Sequence, residues 1–267
     1  MKIREIIGAL EHFAPLSLQD SYDNAGLQIG LTEDAEASGV LLCLDVTEAV
    51  IDEACRRGCN LVVSHHPLLF RPPRHITGED YVQRTVIRAI QKGVWVYSAH
   101  TNLDNAPGGV SWRMAEKLGL LNVSTLEPAS ETENGVAGAG VVGELPDALS
   151  CAEFVELLGR VFGVEAVRHN EWRGQTISRV ALCGGAGAFL ADKAKRAGAQ
   201  AFVTGEVGYH RFFGYEDDLM VVELGHYESE RYTIGLLQEI IAKAVNGAVP
   251  VLETELMTNP VVTTVKK

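Results

Sequence analysis

Residues Gly39–His66 read GVLLCLDVTEAVIDEACRRGCNLVVSHH. The stretch opens with a continuous apolar run, Gly39–Val46, the composition of a strand covered on both faces. Thr47 then stands where a helix cap belongs, ahead of Val50, Ile51 and Ala54 on one helical face, with Gly58 past the helix end. Asn60–Ser64 is a second apolar run, and it stops at two adjacent histidines, His65 and His66, followed by Pro67. Strand, helix and strand in this order make a β-α-β unit, whose crossover makes the two strands parallel.

The same pattern returns 140 positions later. Val40-Leu41-Leu42-Cys43 corresponds to Val180-Ala181-Leu182-Cys183, and Ala54, Gly58, Val63 and Ser64 correspond to Ala194, Gly198, Val203 and Thr204. His65-His66 then falls opposite Gly205-Glu206. Two His-x-x-x-acid pairs, His100/Asp104 and His226/Glu230, each follow an apolar strand and are offset by 126. The chain therefore repeats one α/β design, with polar residues at matching strand ends. The expected fold class is α/β: two pseudo-symmetric α/β domains with mixed sheets flanked by helices, and a metal site in the cleft between them. In open α/β sheets the carboxyl ends of the strands are where ligands bind.

Outside the repeat, Ile3, Ile6, Ile7 and Leu10 recur at helical spacing. Helices are also expected over Thr85–Lys92, Trp112–Leu118 and, capped by Ser150, up to Phe162; Gly93–Ala99 reads as a strand. The stretch Asn122–Ser178 changes character, with Pro128, Pro146 and a Gly/Ala/Val-rich run from Gly135 to Gly143. It reads as the body of a second domain. The expected division is 1–122 for the first domain, with 232–267 packing back on it, and 123–231 for the second.

Composition argues against several classes of function. Of 267 residues 46% are hydrophobic, enough for a real core. A formal net charge of -12 gives no general attraction to nucleic acid or to an anionic membrane. No run of about 18 apolar residues is present to span a bilayer. Five cysteines, an odd number without metal-knuckle spacing, read as reduced thiols. Met1–Ile7 has charged residues where a signal peptide needs an apolar core, so the expected location is the cytoplasm.

The polar strand ends carry the chemistry. Successive side chains on a strand face opposite ways, so His65 and His66 can share a site only where the strand ends and turns. Pro67 and the repeat favour that reading over two turn histidines. Spacing of four on a helix puts His226 and Glu230 on one face. Asp104, ahead of Asn105-Ala106-Pro107-Gly108-Gly109, reads equally as a turn residue or a ligand. His100 reads better as a group that orients a ligand than as one. Cys183-Gly184-Gly185-Ala186-Gly187 lacks the Lys-Ser/Thr of a phosphate loop and reads as a tight turn. His100, Glu206 and His210 are candidates for proton transfer. Imidazoles and carboxylates together suit divalent metals: zinc, iron, manganese, nickel or, at an oxygen-rich position, magnesium.

In combination these motifs resemble the GTP cyclohydrolase 1 type 2 family, also described as dinuclear-metal-centre hexameric proteins. The matching segments are Phe13-Ala14-Pro15-Leu16, Asp23-Asn24-Ala25-Gly26-Leu27-Gln28, Ser64-His65-His66-Pro67-Leu68, His100-Thr101-Asn102-Leu103-Asp104, Thr204-Gly205-Glu206 and Gly225-His226 through Glu230. The resemblance runs nearly end to end. It implies two divalent ions per subunit held by His65, His66, Asp104, His226 and Glu230, with Glu230 bridging. It further implies a toroidal homohexamer and a hydrolase that opens the purine imidazole ring of GTP or acts on a related small-molecule nucleotide. A metal-binding regulatory or scaffold hexamer without catalysis is the alternative; membrane and nucleic-acid partners are not expected.

Overall fold

A computed structural model describes residues 1–30 and 35–265. The chain divides into two compact units, Met1–Ala106 with Thr233–Asn259, and Pro107–Tyr232 with the C-terminal residues from Pro260.

The first unit begins with α1 (Ile3–Phe13), β1 (Gly26–Ile29), β2 (Val40–Cys43), α2 (Glu48–Arg56), β3 (Leu61–Ser64), α3 (Tyr81–Lys92), β4 (Trp95–Ser98) and α4 (Thr101–Asn105). The second contains α5 (Val110–Leu118), β5 (Leu121–Thr132), β6 (Gly135–Leu149), α6 (Cys151–Phe162), β7 (Arg168–His169), β8 (Ile177–Cys183), α7 (Ala191–Arg196), β9 (Ala201–Thr204), β10 (Met220–Glu223) and α8 (His226–Glu230). The chain then returns to the first unit with α9 (Thr233–Val245) and β11 (Val251–Glu253).

The first sheet has the order β1-β4-β3-β2-β11, parallel except for β1. Every residue of β2, β3 and β4 is buried, as their unbroken apolar runs require. Leu41, Val62 and Val96 meet Val50, Ile51 and Ala54 of α2 and Val86 and Ala89 of α3 in one core. Thr47 caps α2 by accepting the Val50 N–H, at 3.3 Å. Gly93 ends α3 in the left-handed conformation.

The second sheet has the order β5-β6-β8-β9-β10-β7, with β8, β9 and β10 parallel and the others antiparallel. Both sheets are thus mixed and flanked by helices. The internal repeat is a repeat of register. Val40 pairs Leu61 and Cys43 pairs Ser64 in the first unit; Val180 pairs Ala201 and Cys183 pairs Thr204 in the second.

Three details depart from the sequence reading. The division falls at Ala106/Pro107, because α5 buries Met114, Ala115 and Leu118 among Val141, Val180 and Leu182 of the second sheet. Asp104 lies on α4 and not in a turn. Ser64 pairs Ser98, and Thr204 pairs Glu223, so the third strands are offset by 125 and not 126. Position 100 therefore corresponds to Gly225, and His226 stands one residue farther along, as the first residue of α8.

Candidate metal centre

In the first unit three imidazoles meet where β3 and β4 end. The ligand-capable nitrogens of His65, His66 and His100 lie within 4.8 Å of one another. Their rings are 5.0 to 5.6 Å apart between centroids. Each ring is held from behind through Nδ1. His65, fully buried, bonds the Ala99 carbonyl at 2.7 Å. That acceptor requires the Nδ1–H tautomer and turns Nε2 toward the cluster. His66 Nδ1 bonds Asp45 Oδ1 at 2.7 Å, and His100 Nδ1 bonds Asp23 Oδ1 at 2.8 Å. Asp104 Oδ1 stands 3.6 Å from His65 Nε2.

The two backing carboxylates are electrostatically alike. Burial pushes the Asp23 carboxyl up, but bonds from His100, the Thr101 hydroxyl and the Asn24 amide outweigh it and bring it to about 2. Asp45 also has burial working against ionisation; bonds from His66 and Thr258 hold it below the usual carboxylate range. Both stay anionic at neutral pH and draw protons onto the Nδ1 atoms, the arrangement by which ligand histidines are oriented.

In the second unit the corresponding strand ends present a different donor set. His226 Nε2 is 3.0 Å from Glu230 Oε2, one helical turn away, and His226 Nδ1 is 2.9 Å from Glu206 Oε1. Glu230 is only 3% exposed. A buried carboxylate is costly unless a cation or several donors face it. The glycine turn after β8 makes room for it. Gly185 has φ +58, and a Cβ there would lie 2.3 Å from Glu230 Oε1. Ser229 ties the same turn down by accepting the Gly185 N–H at 3.0 Å. The turn reading of Cys183–Gly187 is therefore right about its shape and incomplete about its purpose, which is to accommodate a carboxylate.

The predicted residues fall into two groups. His65, His66, His100 and Asp104 are together in the first unit, and His226, Glu230 and Glu206 in the second. His100 joins the imidazole cluster directly. Glu206 backs His226 as Asp45 backs His66. His210 lies on the surface turn Tyr209–Phe212, 5.2 Å from the Tyr209 ring and stacked at 6.3 Å on Phe213. Sequence reasoning gave no role to Asp45 or Thr258. Asp45 carried one available signal, a lone acid just past the end of a buried parallel strand.

Imidazole and carboxylate donors converging at the carboxyl ends of parallel strands, with carboxylates and carbonyls behind them, define an α/β protein with divalent-metal-type donor sets. The chain belongs to the Duf34/NIF3 (NGG1p interacting factor 3) family, whose model matches residues 1–260. It is 35% identical over 86% of its length to a Clostridium perfringens protein described as a GTP cyclohydrolase 1 type 2 homolog, covering 87% of that protein. A NIF3-like protein 1 from Drosophila melanogaster is 30% identical over 98% of this chain and 89% of its own. Among solved structures, a Staphylococcus aureus hypothetical protein matches with a TM-score of 0.89 and 26% identity over 99% of both chains. A Bacillus cereus protein related to NIF3 shares the fold, with a TM-score of 0.90 at 23% identity over 99% of both chains. Among the described residues no helix is long and apolar enough to cross a membrane.

Proposed function

We propose that the protein is a divalent-metal-dependent hydrolase that holds two metal ions. His65, His66, Asp104, His226 and Glu230 would be the ligands. The single observation that carries this reading is the cluster of His65, His66 and His100, three imidazoles with converging nitrogens, each fixed through Nδ1. Imidazoles that converge and are each anchored through Nδ1 leave their other nitrogens facing one another, a poor arrangement for packing and a good one for coordination. The Gly185 cradle around the buried Glu230 carboxylate fits the same purpose.

When bound, a pair of divalent ions lowers the pKa of water toward neutrality and polarises the group under attack. The protein's own residues would orient and move protons. Asp45 and Glu206 hold His66 and His226 in the tautomer that leaves Nε2 for a ligand bond. His100, anchored on Asp23, would take or give a proton at Nε2. The substrate class suggested by the relatives' names is GTP or a related nucleotide, with hydrolytic opening of the purine imidazole ring. A homohexamer and a cytoplasmic setting belong to the same reading; native mass measurement tests the former.

The test is elemental analysis of the wild type beside His65→Ala and Glu230→Ala, with GTP-dependent formate release assayed on the same samples. About two metals per chain, lost in both variants together with formate release, is the expected result. Metal without turnover of GTP or of a broad panel of nucleotides and phosphoesters overturns the hydrolase and leaves a metal-binding role. No metal after reloading overturns the site.

A further inference from the structure

Past β11 the chain does not simply trail away from the first unit. Thr254 N–H continues the strand by donating to the Leu42 carbonyl at 2.8 Å. The Thr254 hydroxyl then donates to Glu53 Oε2 at 2.5 Å, and the Glu255 N–H to Glu53 Oε1 at 2.9 Å. Glu53 is a fully buried carboxylate on α2, held also by Arg57 at 2.7 Å, and Arg57 in turn donates to the Glu253 carbonyl at 2.7 Å. This end of the segment is locked. Four residues on, the Thr258 hydroxyl donates to Asp45 Oδ2 at 2.8 Å, while Asp45 Oδ1 accepts from His66 Nδ1 at 2.7 Å.

The two oxygens of Asp45 are thus divided between a histidine and the C-terminal segment. Asp45 follows β2 and is one-third exposed, so its carboxylate is not wedged by packing. A carboxylate held by a single bond can rotate about its Cβ–Cγ axis and swing its partner with it; a second donor on the other oxygen fixes that rotation. We infer that Thr254–Thr258 is a positioning strap for His66, acting through Asp45: Glu53 anchors one end, and Thr258 sets the carboxylate that sets the imidazole. The inference rests on His66 being a metal ligand for its consequence, but the positioning itself is a property of the metal-free chain.

The experiment uses the full chain, stripped by chelator, as wild type, Thr258→Val, Thr258→Ser and Asp45→Asn. Valine keeps the shape and removes the donor; serine restores it. Two readouts are taken. The first is the imidazole nitrogen NMR spectrum of histidine-labelled metal-free protein. The second is zinc affinity, measured by competition with a chromophoric chelator. Thr258→Val is expected to shift or broaden the His66 signals and weaken zinc binding several-fold. Asp45→Asn is expected to weaken it roughly 10- to 100-fold, the usual effect of losing a group behind a ligand. Thr258→Ser is expected to behave as wild type in both, with unfolding midpoints of the metal-free proteins unchanged.

The strap is overturned if Thr258→Val leaves the His66 signals and zinc affinity at wild-type values, or if Thr258→Ser is as impaired as Thr258→Val. A wild type that binds no zinc while His66 still responds to Thr258→Val and recovers with Thr258→Ser supports the strap and overturns the metal reading. The two failures are therefore separate.

Discussion

The β2–α2–β3 and β8–α7–β9 segments are the same scaffold with the same strand register, yet their ends do different work. After β3 stand His65 and His66; after β9 stand Gly205 and Glu206. The second pair could not be copied from the first. A Cβ at Gly205 would lie 2.6 Å from Ser229 Oγ and 2.7 Å from the Gly185 carbonyl. Asp45 in the first unit corresponds to Gly185 in the second: one position supplies a carboxylate, and the other makes space for the carboxylate of Glu230. The second unit moves its imidazole onto α8 instead, one residue beyond the position that matches His100. A duplicated scaffold preserves where donors can be placed. Local crowding decides which donor stands there.

The sharpest way to break this comparison is to restore the repeat. Gly205→His should destabilise the protein by about 3 kcal/mol, the upper range for forcing atoms into a packed site. Urea unfolding checks it; a variant as stable as wild type would show that crowding is not what separates the two ends.

A smaller effect is expected at Glu53, whose counterpart is Lys193. The lysine is partly exposed and pairs with Glu127 on β5, whereas Glu53 is buried under the strap. Glu53→Gln should cost about 1–3 kcal/mol at neutral pH, because buried donors lose a charged acceptor. Burial alone would raise the Glu53 carboxyl, but the Thr254, Glu255 and Arg57 bonds outweigh it and hold it below the ordinary value of 4.5. A depressed folded pKa contributes stability above the unfolded value that is lost as pH falls through the folded one. The difference between wild type and Glu53→Gln should therefore shrink from about pH 6 to about pH 3, measured by urea unfolding across that range. A constant difference would assign the effect to packing.

The smallest concerns the helix starts. Thr47 caps α2, while the corresponding Gly187 has no side chain to offer and α7 begins without a side-chain cap. Thr47→Ala should cost about 1 kcal/mol, read as a lowered unfolding midpoint. No change would mean that α2, like α7, is held by packing alone.

The β-α-β units were readable because buried parallel strands and capped helices leave unbroken local patterns, as in Gly39–Ser64. The long β5–β6 hairpin, which turns through Glu133-Asn134 between the paired Thr132 and Gly135, was not recognised. Pro128 and the glycines of Gly135–Gly143 masked its alternation. The boundary near residue 122 was misplaced for a different reason. Helical periodicity identifies α5 but does not say which sheet it packs on.

By itself the sequence determined the repeated α/β scaffold, its strand ends, and the residue types His65, His66, His100, Asp104, His226 and Glu230 that stand there. These are local matters, settled by periodicity within about ten residues. Only the tertiary structure decided what stands behind them. Asp45 reaches His66 across 21 residues, Asp23 reaches His100 across 77, and Thr258 reaches Asp45 across 213. Hydrogen bonds between segments so far apart leave no periodic trace, because chain separation and spatial separation are unrelated once the strands have assembled.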